Sequence, residues 1–245
     1  MDRFFIENRL ALGEETVITG GDAFHIIRTL RLRVGEKLEI ATPLGVFLSE
    51  LTEISKGQKE AKVKAVNLQT VSHEPEIYIR LFQGLPKGQK LDLVVQKAVE
   101  IGISEIIPVE LSRSVAKLPK NDKLSRYQKI AKETAQQAKR DIVPIVREAI
   151  TFFEAEKFFG KDDIILVPYE EERVVSVKVL REIEKPKVVN LFVGPEGGFS
   201  PDEISTLKAL GAKIFSLGNR ILRTETAGVI AAALIFYEYG EMNHR

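Results

Sequence analysis

The hydrophobic rhythm of the chain changes about a third of the way along. Up to residue 70, apolar and polar positions alternate in short runs at Thr16–Ile18, Lys37–Ala41, Gly45–Ile54 and Glu60–Leu68. A period of two predicts strands with one buried face. Gly13, Gly20, Gly21, Gly35, Pro43 and Gly57 punctuate them as turns. Between the strands, Phe24, Ile27 and Leu30 are spaced for one helical face, with Asp22 as the N-cap of a helix from Asp22 to Leu30. Many short strands with one helix predict a small β-barrel. A boundary is expected near Val71-Ser72-His73-Glu74-Pro75.

Beyond it, strands and helices alternate. Strands are predicted at Glu76–Phe82, Glu105–Glu110, Asp163–Pro168, Pro186–Gly194 and Lys213–Gly218, the last three nearly continuous in Ile, Val, Leu and Phe. Helices are predicted at Gln89–Ile101, Lys123–Lys139, Phe152–Phe159, Pro201–Ala209 and Glu225–Tyr239. In the first of these, Leu91, Val94, Val95, Ala98 and Val99 form one apolar stripe. Ser200-Pro201-Asp202-Glu203 reads as a capping box with proline at the first helical position. The alternation predicts a parallel α/β domain from about residue 74 to 245.

Composition narrows the chemistry. The 245 residues are 44% hydrophobic and 29% charged, which suits a globular protein. There is no Cys, so disulfides, thiolate metal sites and cysteine nucleophiles are excluded. His25, His73 and His244 lack metal-ligand spacing, so no metal site is expected. The amino terminus has no secretory pattern, and the longest apolar stretch, Ala227 to Tyr237, is short of the roughly 18 residues of a membrane span. A cytoplasmic protein without membrane attachment is expected.

The net charge of +1 hides an uneven distribution. From Leu111 to Arg140 nine basic residues face only Asp122 and Glu133. They are Arg113, Lys117, Lys120, Lys123, Arg126, Lys129, Lys132, Lys139 and Arg140. Arg28, Arg31, Arg33 and Lys37 form a second group. Two readings stand: an oriented polyanion-binding face, or ordinary solvated helix surface.

Two loops carry the candidate chemistry. Gly194-Pro195-Glu196-Gly197-Gly198 follows one core strand, and Leu217-Gly218-Asn219-Arg220-Ile221-Leu222-Arg223-Thr224-Glu225-Thr226-Ala227 follows another. Open α/β sheets bind ligands beyond the carboxyl ends of their strands. The glycine loop is neither a dinucleotide fingerprint nor a phosphate-binding P-loop. Alone it is equally a structural turn; the second loop tips the balance toward a nucleoside-bearing ligand. Val167-Pro168-Tyr169-Glu170-Glu171, after a third core strand, is a further candidate wall.

These residues resemble the bacterial 16S ribosomal RNA (uridine-N3) methyltransferases of the RsmE type, within the SPOUT class of S-adenosylmethionine enzymes. The resemblance spans the chain and is strongest in Gly194-Pro195-Glu196-Gly197-Gly198-Phe199 and in Ile221-Leu222-Arg223-Thr224-Glu225-Thr226-Ala227. Gln96 to Gly102, Arg113-Ser114-Val115 and the stretch from His25 to Leu32 support it. Departures are Thr134 to Arg140 and Arg28-Thr29-Leu30-Arg31, which bear on RNA contacts rather than on the cofactor loops.

The resemblance implies a PUA-like β-barrel over residues 1–70, then a SPOUT-type α/β domain with a deep carboxyl-terminal trefoil knot over 74–245. It implies S-adenosylmethionine held by Val167, Pro168, Tyr169, Phe192, Val193, Gly194, Pro195, Glu196, Gly197, Gly198, Leu217, Gly218, Asn219, Ile221, Leu222, Thr226 and Ala227. It also implies a homodimer acting on 16S ribosomal RNA in the small subunit. Helix Ala227–Tyr237, apolar nearly all round, is either core or partner contact.

Methylation of uridine N3 requires loss of an imide proton. Arg223 is the candidate for stabilising charge on O2 or O4, and Glu225 for taking the proton or orienting Arg223; a helix-start salt bridge is the plainer role. Arg28, Arg31, Arg33, Arg113, Lys117, Lys123, Arg126, Lys139 and Arg140 are the RNA-binding candidates, and Tyr127 is either a base-stacking ring or an ordinary surface tyrosine. The rivals are a knotted methyltransferase for tRNA or 23S ribosomal RNA, and a catalytically silent RNA-binding assembly protein.

Overall fold

A computed structural model describes residues 1–118 and 123–243. Lys120, Asp122 and His244 therefore lie outside the described residues. Chain contacts divide the protein into two units, one of Met1–Glu74 with Ala135–Val143, the other of Pro75–Thr134 with Pro144–Arg245. The alternating patterns do not signal the return of 135–143 to the first unit.

The first unit is built on β1 (Arg3–Phe5), β2 (Glu15–Thr19), β3 (Lys37–Thr42), β4 (Gly45–Ile54) and β5 (Glu60–Leu68), in the sheet order β1-β3-β4-β5-β2. Only the β1–β3 pair is parallel. Alternate residues such as Leu38, Ile40, Phe47, Leu51, Ala61 and Val63 are buried together. The predicted helix is shorter and differently wound: α1 (Gly20–Phe24) runs into a π-helical turn at His25–Thr29. Thr19, not Asp22, is its N-cap residue. Widening the turn shifts the buried face to Ala23 and Ile26 and leaves Phe24 62% exposed, so the 3.6-residue spacing misassigned Phe24.

Arg3 stands at the polar heart of this unit. It is 2% exposed, bonds Glu39 at 3.0 Å and Asp141 at 2.6 Å, and donates to the Lys139 and Arg140 carbonyls. Arg140 is itself 3% exposed and grips Glu74 through two guanidinium nitrogens. Buried charges persist when paired and hydrogen-bonded, which these are.

The second unit holds a seven-stranded sheet: β6 (Tyr78–Gly84), β7 (Glu105–Glu110), β8 (Ile145–Val146), β9 (Ile150–Thr151), β10 (Ile164–Pro168), β11 (Val188–Val193) and β12 (Lys213–Phe215). Its order is β12-β10-β11-β6-β7-β8, with β9 also on β7, and its strands pair in parallel. The helices are α2 (Lys90–Ile101), α3 (Leu124–Gln137), α4 (Pro201–Ala209) and α5 (Thr224–Glu238), with 3-10 segments at Phe152–Phe158 and Val177–Glu182. The five apolar residues foreseen on α2 are its buried residues. The α4 capping box forms as expected, Ser200 and Glu203 bonding each other's backbone.

One face of the sheet carries α2 and α5, which pack on each other. The opposite face joins Phe82 and Phe192, stacked at 4.4 Å, to Ile204 and Leu207 of α4. Gly228 of α5 faces Leu81 and Val193 of the sheet, where a Cβ would lie in ordinary contact at 3.5 Å. Among the described residues no helix is long and apolar enough to cross a membrane.

Candidate active site

Because the sheet is parallel, the loops after β6, β7, β10, β11 and β12 emerge at one edge. Strands β6 and β11 are neighbours whose connections leave toward opposite sides of the sheet, the arrangement that opens a ligand crevice in α/β proteins. The loop after β11 is Gly194–Gly198. It lies against the end of β6 so tightly that a Cβ on Gly84 would come within 2.5 Å of the Pro195 nitrogen. At Gly198, φ is +68° and a Cβ would collide with the Glu170 carboxylate. The glycines there are required by loop packing.

Thr224 ties the two predicted loops together. Its hydroxyl donates to the Gly194 carbonyl at 2.6 Å and accepts from the Gln83 side-chain amide at 2.8 Å. Gln83 is fully buried, and its Oε1 has no hydrogen-bond partner among the described residues. Lys90 makes the second tie, 2.8 Å from Glu196 and 3.5 Å from Glu225. The Glu196 carboxylate also accepts from the Lys87 backbone amide. Burial would raise the Glu196 pKa, but these donors prevail and lower it.

The sequence candidates are placed as follows. Val167 and Pro168 end β10, and Tyr169 follows with its hydroxyl donating to Glu171 at 2.7 Å. Burial and that carboxylate push the Tyr169 hydroxyl up to about 12, so it serves as a donor rather than a base. Phe192 and Val193 are buried at the end of β11, where the Phe192 ring belongs to the core. Leu217 and Leu222 are partly buried; Gly218, Asn219, Ile221 and Thr226 are exposed, and Ala227 lies in the first turns of α5. The stretch 169–187 is pinned beside β12 by a bridge between Ser176 and Ser216. Arg223 is 82% exposed and 3.9 Å from Glu225, whose side chain is only 10% exposed.

Among the basic candidates, Arg113 donates to the Gly197 carbonyl at 3.3 Å, and Lys117 pairs with Glu110 at 3.1 Å. Arg126 pairs with Asp92, and Lys123 is exposed. Arg28, Arg31 and Arg33 are exposed on the first unit. Lys139 and Arg140 differ from expectation: Lys139 bonds Glu39 at 2.9 Å, and Arg140 is buried on Glu74, so these charges are committed inside the first unit. Gln83 and Lys90 were not among the sequence candidates, and Thr224 was noted only as a polar member of the second loop, with no role assigned. The available signal was a glutamine ending an apolar strand and a threonine inside the Leu222–Ala227 motif.

The lip of this crevice carries both signs of charge. Glu170, Glu196 and Glu225 surround the glycine loop, with Lys90, Arg113 and Arg223 among them. S-adenosylmethionine, a nucleoside whose tail bears a sulfonium, an ammonium and a carboxylate, can meet both signs there. Among the described residues no group of His, Asp and Glu is placed to hold a metal ion.

Comparison with known proteins places the chain in a family. The RNA methyltransferase domain family matches residues 73–236. The ribosomal RNA small subunit methyltransferase E of Bacillus subtilis is 32% identical, over 97% of this chain and 97% of its own.

The chain belongs to the RNA methyltransferase family.

Within this family, the crystal structure of a ribosomal RNA small subunit methyltransferase E from Neisseria gonorrhoeae bound to S-adenosyl methionine is 28% identical, with a TM-score of 0.87 over 97% of this chain and 98% of that one. The structure of a putative methyltransferase from Legionella pneumophila in complex with the cofactor SAM is 26% identical, with a TM-score of 0.81 over 96% and 97%.

Proposed function

We propose that this RNA methyltransferase transfers the methyl group of S-adenosylmethionine to N3 of a uridine in 16S ribosomal RNA of the small subunit. The observation that carries the reading is the glycine loop at the β6–β11 crevice, framed by carboxylates and locked to α5 through Thr224. Full-length similarity to relatives named for the small-subunit reaction supports the substrate. When bound, the cofactor supplies an electrophilic methyl group.

The chain's own residues supply position and proton handling. The Gly194–Gly198 backbone and the 217–222 loop would hold the nucleoside, with Val167 to Tyr169 closing the third side. Thr224 and Lys90 keep those loops in register, a proximity contribution. Glu225 Oε2 is buried, with Lys90 Nζ 3.5 Å away as its ion-pair partner, and is the candidate acceptor for the N3 proton. The exposed Arg223 guanidinium, at the N-cap of α5, would stabilise charge on a uracil oxygen.

The same reading takes the first unit as a PUA-like RNA-recognition domain and the second as a knotted domain. The β10–β11 connection beside β12, with α5 starting back at Gly194, supports the knot. The enzyme would act as a homodimer in the cytoplasm, where ribosomal subunits are assembled.

The test is incubation with labelled S-adenosylmethionine and small subunits lacking the modification, then nucleoside analysis. Labelled N3-methyluridine, lost in Arg223→Ala and Glu225→Gln, is the expected result. Cofactor binding with label only on tRNA or large-subunit RNA would reassign the substrate; binding to RNA without any product would make the chain a silent assembly protein.

A further inference from the structure

A cavity of about 390 Å³ opens beside the candidate active site, between the loop after β6, strand β7, the start of α3 and residues 147–149. That falls within the range of about 300–1,000 Å³ usual for ligand sites. Its walls are apolar where Pro86, Leu91 and Pro108 line it, and Tyr127 from α3 lines it as well. Lys117, Lys123 and Arg147 line it with one carboxylate, Glu148. All three cationic side chains are exposed, Lys117 by 67% and Arg147 by 48%.

We infer that this cavity holds an unstacked base of the RNA substrate, next to the one that reacts, on the Tyr127 ring. Single-stranded RNA is read by stacking bases on aromatic rings while cations neutralise the adjoining phosphates. An apolar slot with one aromatic wall is complementary to a base, and the exposed cations beside it, Lys123 together with Lys117 on Glu110 and Arg147 on Glu105, can turn toward the adjoining phosphates. The position fits as well. Pro86 and Gly88 line the cavity, and Lys87 between them bonds Glu196 of the glycine loop at 3.2 Å. A strand of RNA with one base here passes directly in front of the cofactor crevice.

The inference rests on the RNA substrate proposed above, and its test separates the two. Thiouridine-substituted 16S ribosomal RNA is crosslinked to the full chain with ultraviolet light, and the attached peptide is mapped by mass spectrometry. In parallel, RNA affinity and S-adenosylmethionine affinity are measured for Tyr127→Ala, Tyr127→Phe and Ala149→Phe, the last filling the cavity. Expected are a crosslink on the peptide containing Tyr127 and about ten-fold weaker RNA binding in Tyr127→Ala and Ala149→Phe, with Tyr127→Phe retaining affinity. Cofactor affinity stays unchanged, which shows that the variants are folded. A crosslink elsewhere, with both variants binding RNA as the parent does, overturns the inference even if N3-methyluridine is produced. A crosslink at Tyr127 without methyl transfer upholds the cavity and defeats the reaction.

Discussion

The two ends of the basic stretch between Arg113 and Arg140 are put to opposite uses. Near its start, Lys117 and Lys123 remain exposed and line a cavity on the second unit. At its end, Lys139 and Arg140 turn into the first unit, where Glu39 and Glu74 hold them. A run of positive charge in one dimension therefore mixes exposed cations with structural ones. What separates them is the supply of largely buried carboxylates from distant segments, Glu39 and Glu74 at one end against the local and more exposed Glu110 at the other. Arginine is almost never buried without such a partner.

Breaking the buried end should have the largest effect. Arg140→Ala leaves Glu74 with an uncompensated, largely buried carboxylate and should cost about 3–5 kcal/mol of stability in urea unfolding. If Arg140 instead contacts RNA, the variant would keep its stability and lose affinity. Next comes the hydroxyl that joins the two site loops. Thr224→Val removes both of its hydrogen bonds and should cost about 1–3 kcal/mol, with weakened S-adenosylmethionine binding by calorimetry. Unchanged cofactor affinity would show that the Gly194 loop holds its shape without this tie.

Acid should act on the buried end as well. Burial alone would raise the Glu39 carboxyl, yet hydrogen bonds from Lys139, Gln69 and Arg3 outweigh it and bring it from 4.5 to about 2. A lowered carboxyl contributes stability that is complete above its unfolded value and is lost as pH falls through the folded one. Stability should therefore decline from pH 4.5 toward pH 2, and Glu39→Gln should flatten that decline in circular dichroism melts. The exposed end gives the smallest change in stability. Lys123→Ala should alter unfolding by less than about 0.5 kcal/mol while reducing the salt slope of RNA binding by about 1. An unaltered slope would remove Lys123 from the RNA face.

Much of the second unit was legible because its signals are local. The α2 stripe and the α4 capping box depend on residues within a turn or two of each other, and both form at the expected positions. Glu105–Glu110 was likewise readable as a run of apolar residues bounded by charge. The short pieces were not. Strands β1, β8 and β9 have two or three residues each, too few to show a period, and exist only because a neighbouring strand pairs with them. The π-helical turn at His25–Thr29 defeated the helical spacing for the same reason: its extra residue per turn carries no sequence mark.

The candidate site divides along the same line. By itself the sequence determined that glycine and polar residues cluster after core strands, that no cysteine chemistry is possible, and which family the motifs resemble. Those are properties of composition and nearest neighbours. Only the tertiary structure decided that Gln83, Thr224 and Gly194 form one chain of hydrogen bonds, that Lys90 links Glu196 to Glu225, and that Arg140 is buried. Those groups are brought together from positions up to 141 residues apart, by strand order and helix packing. The energy of each contact depends on burial and distance, and neither exists until the chain has folded.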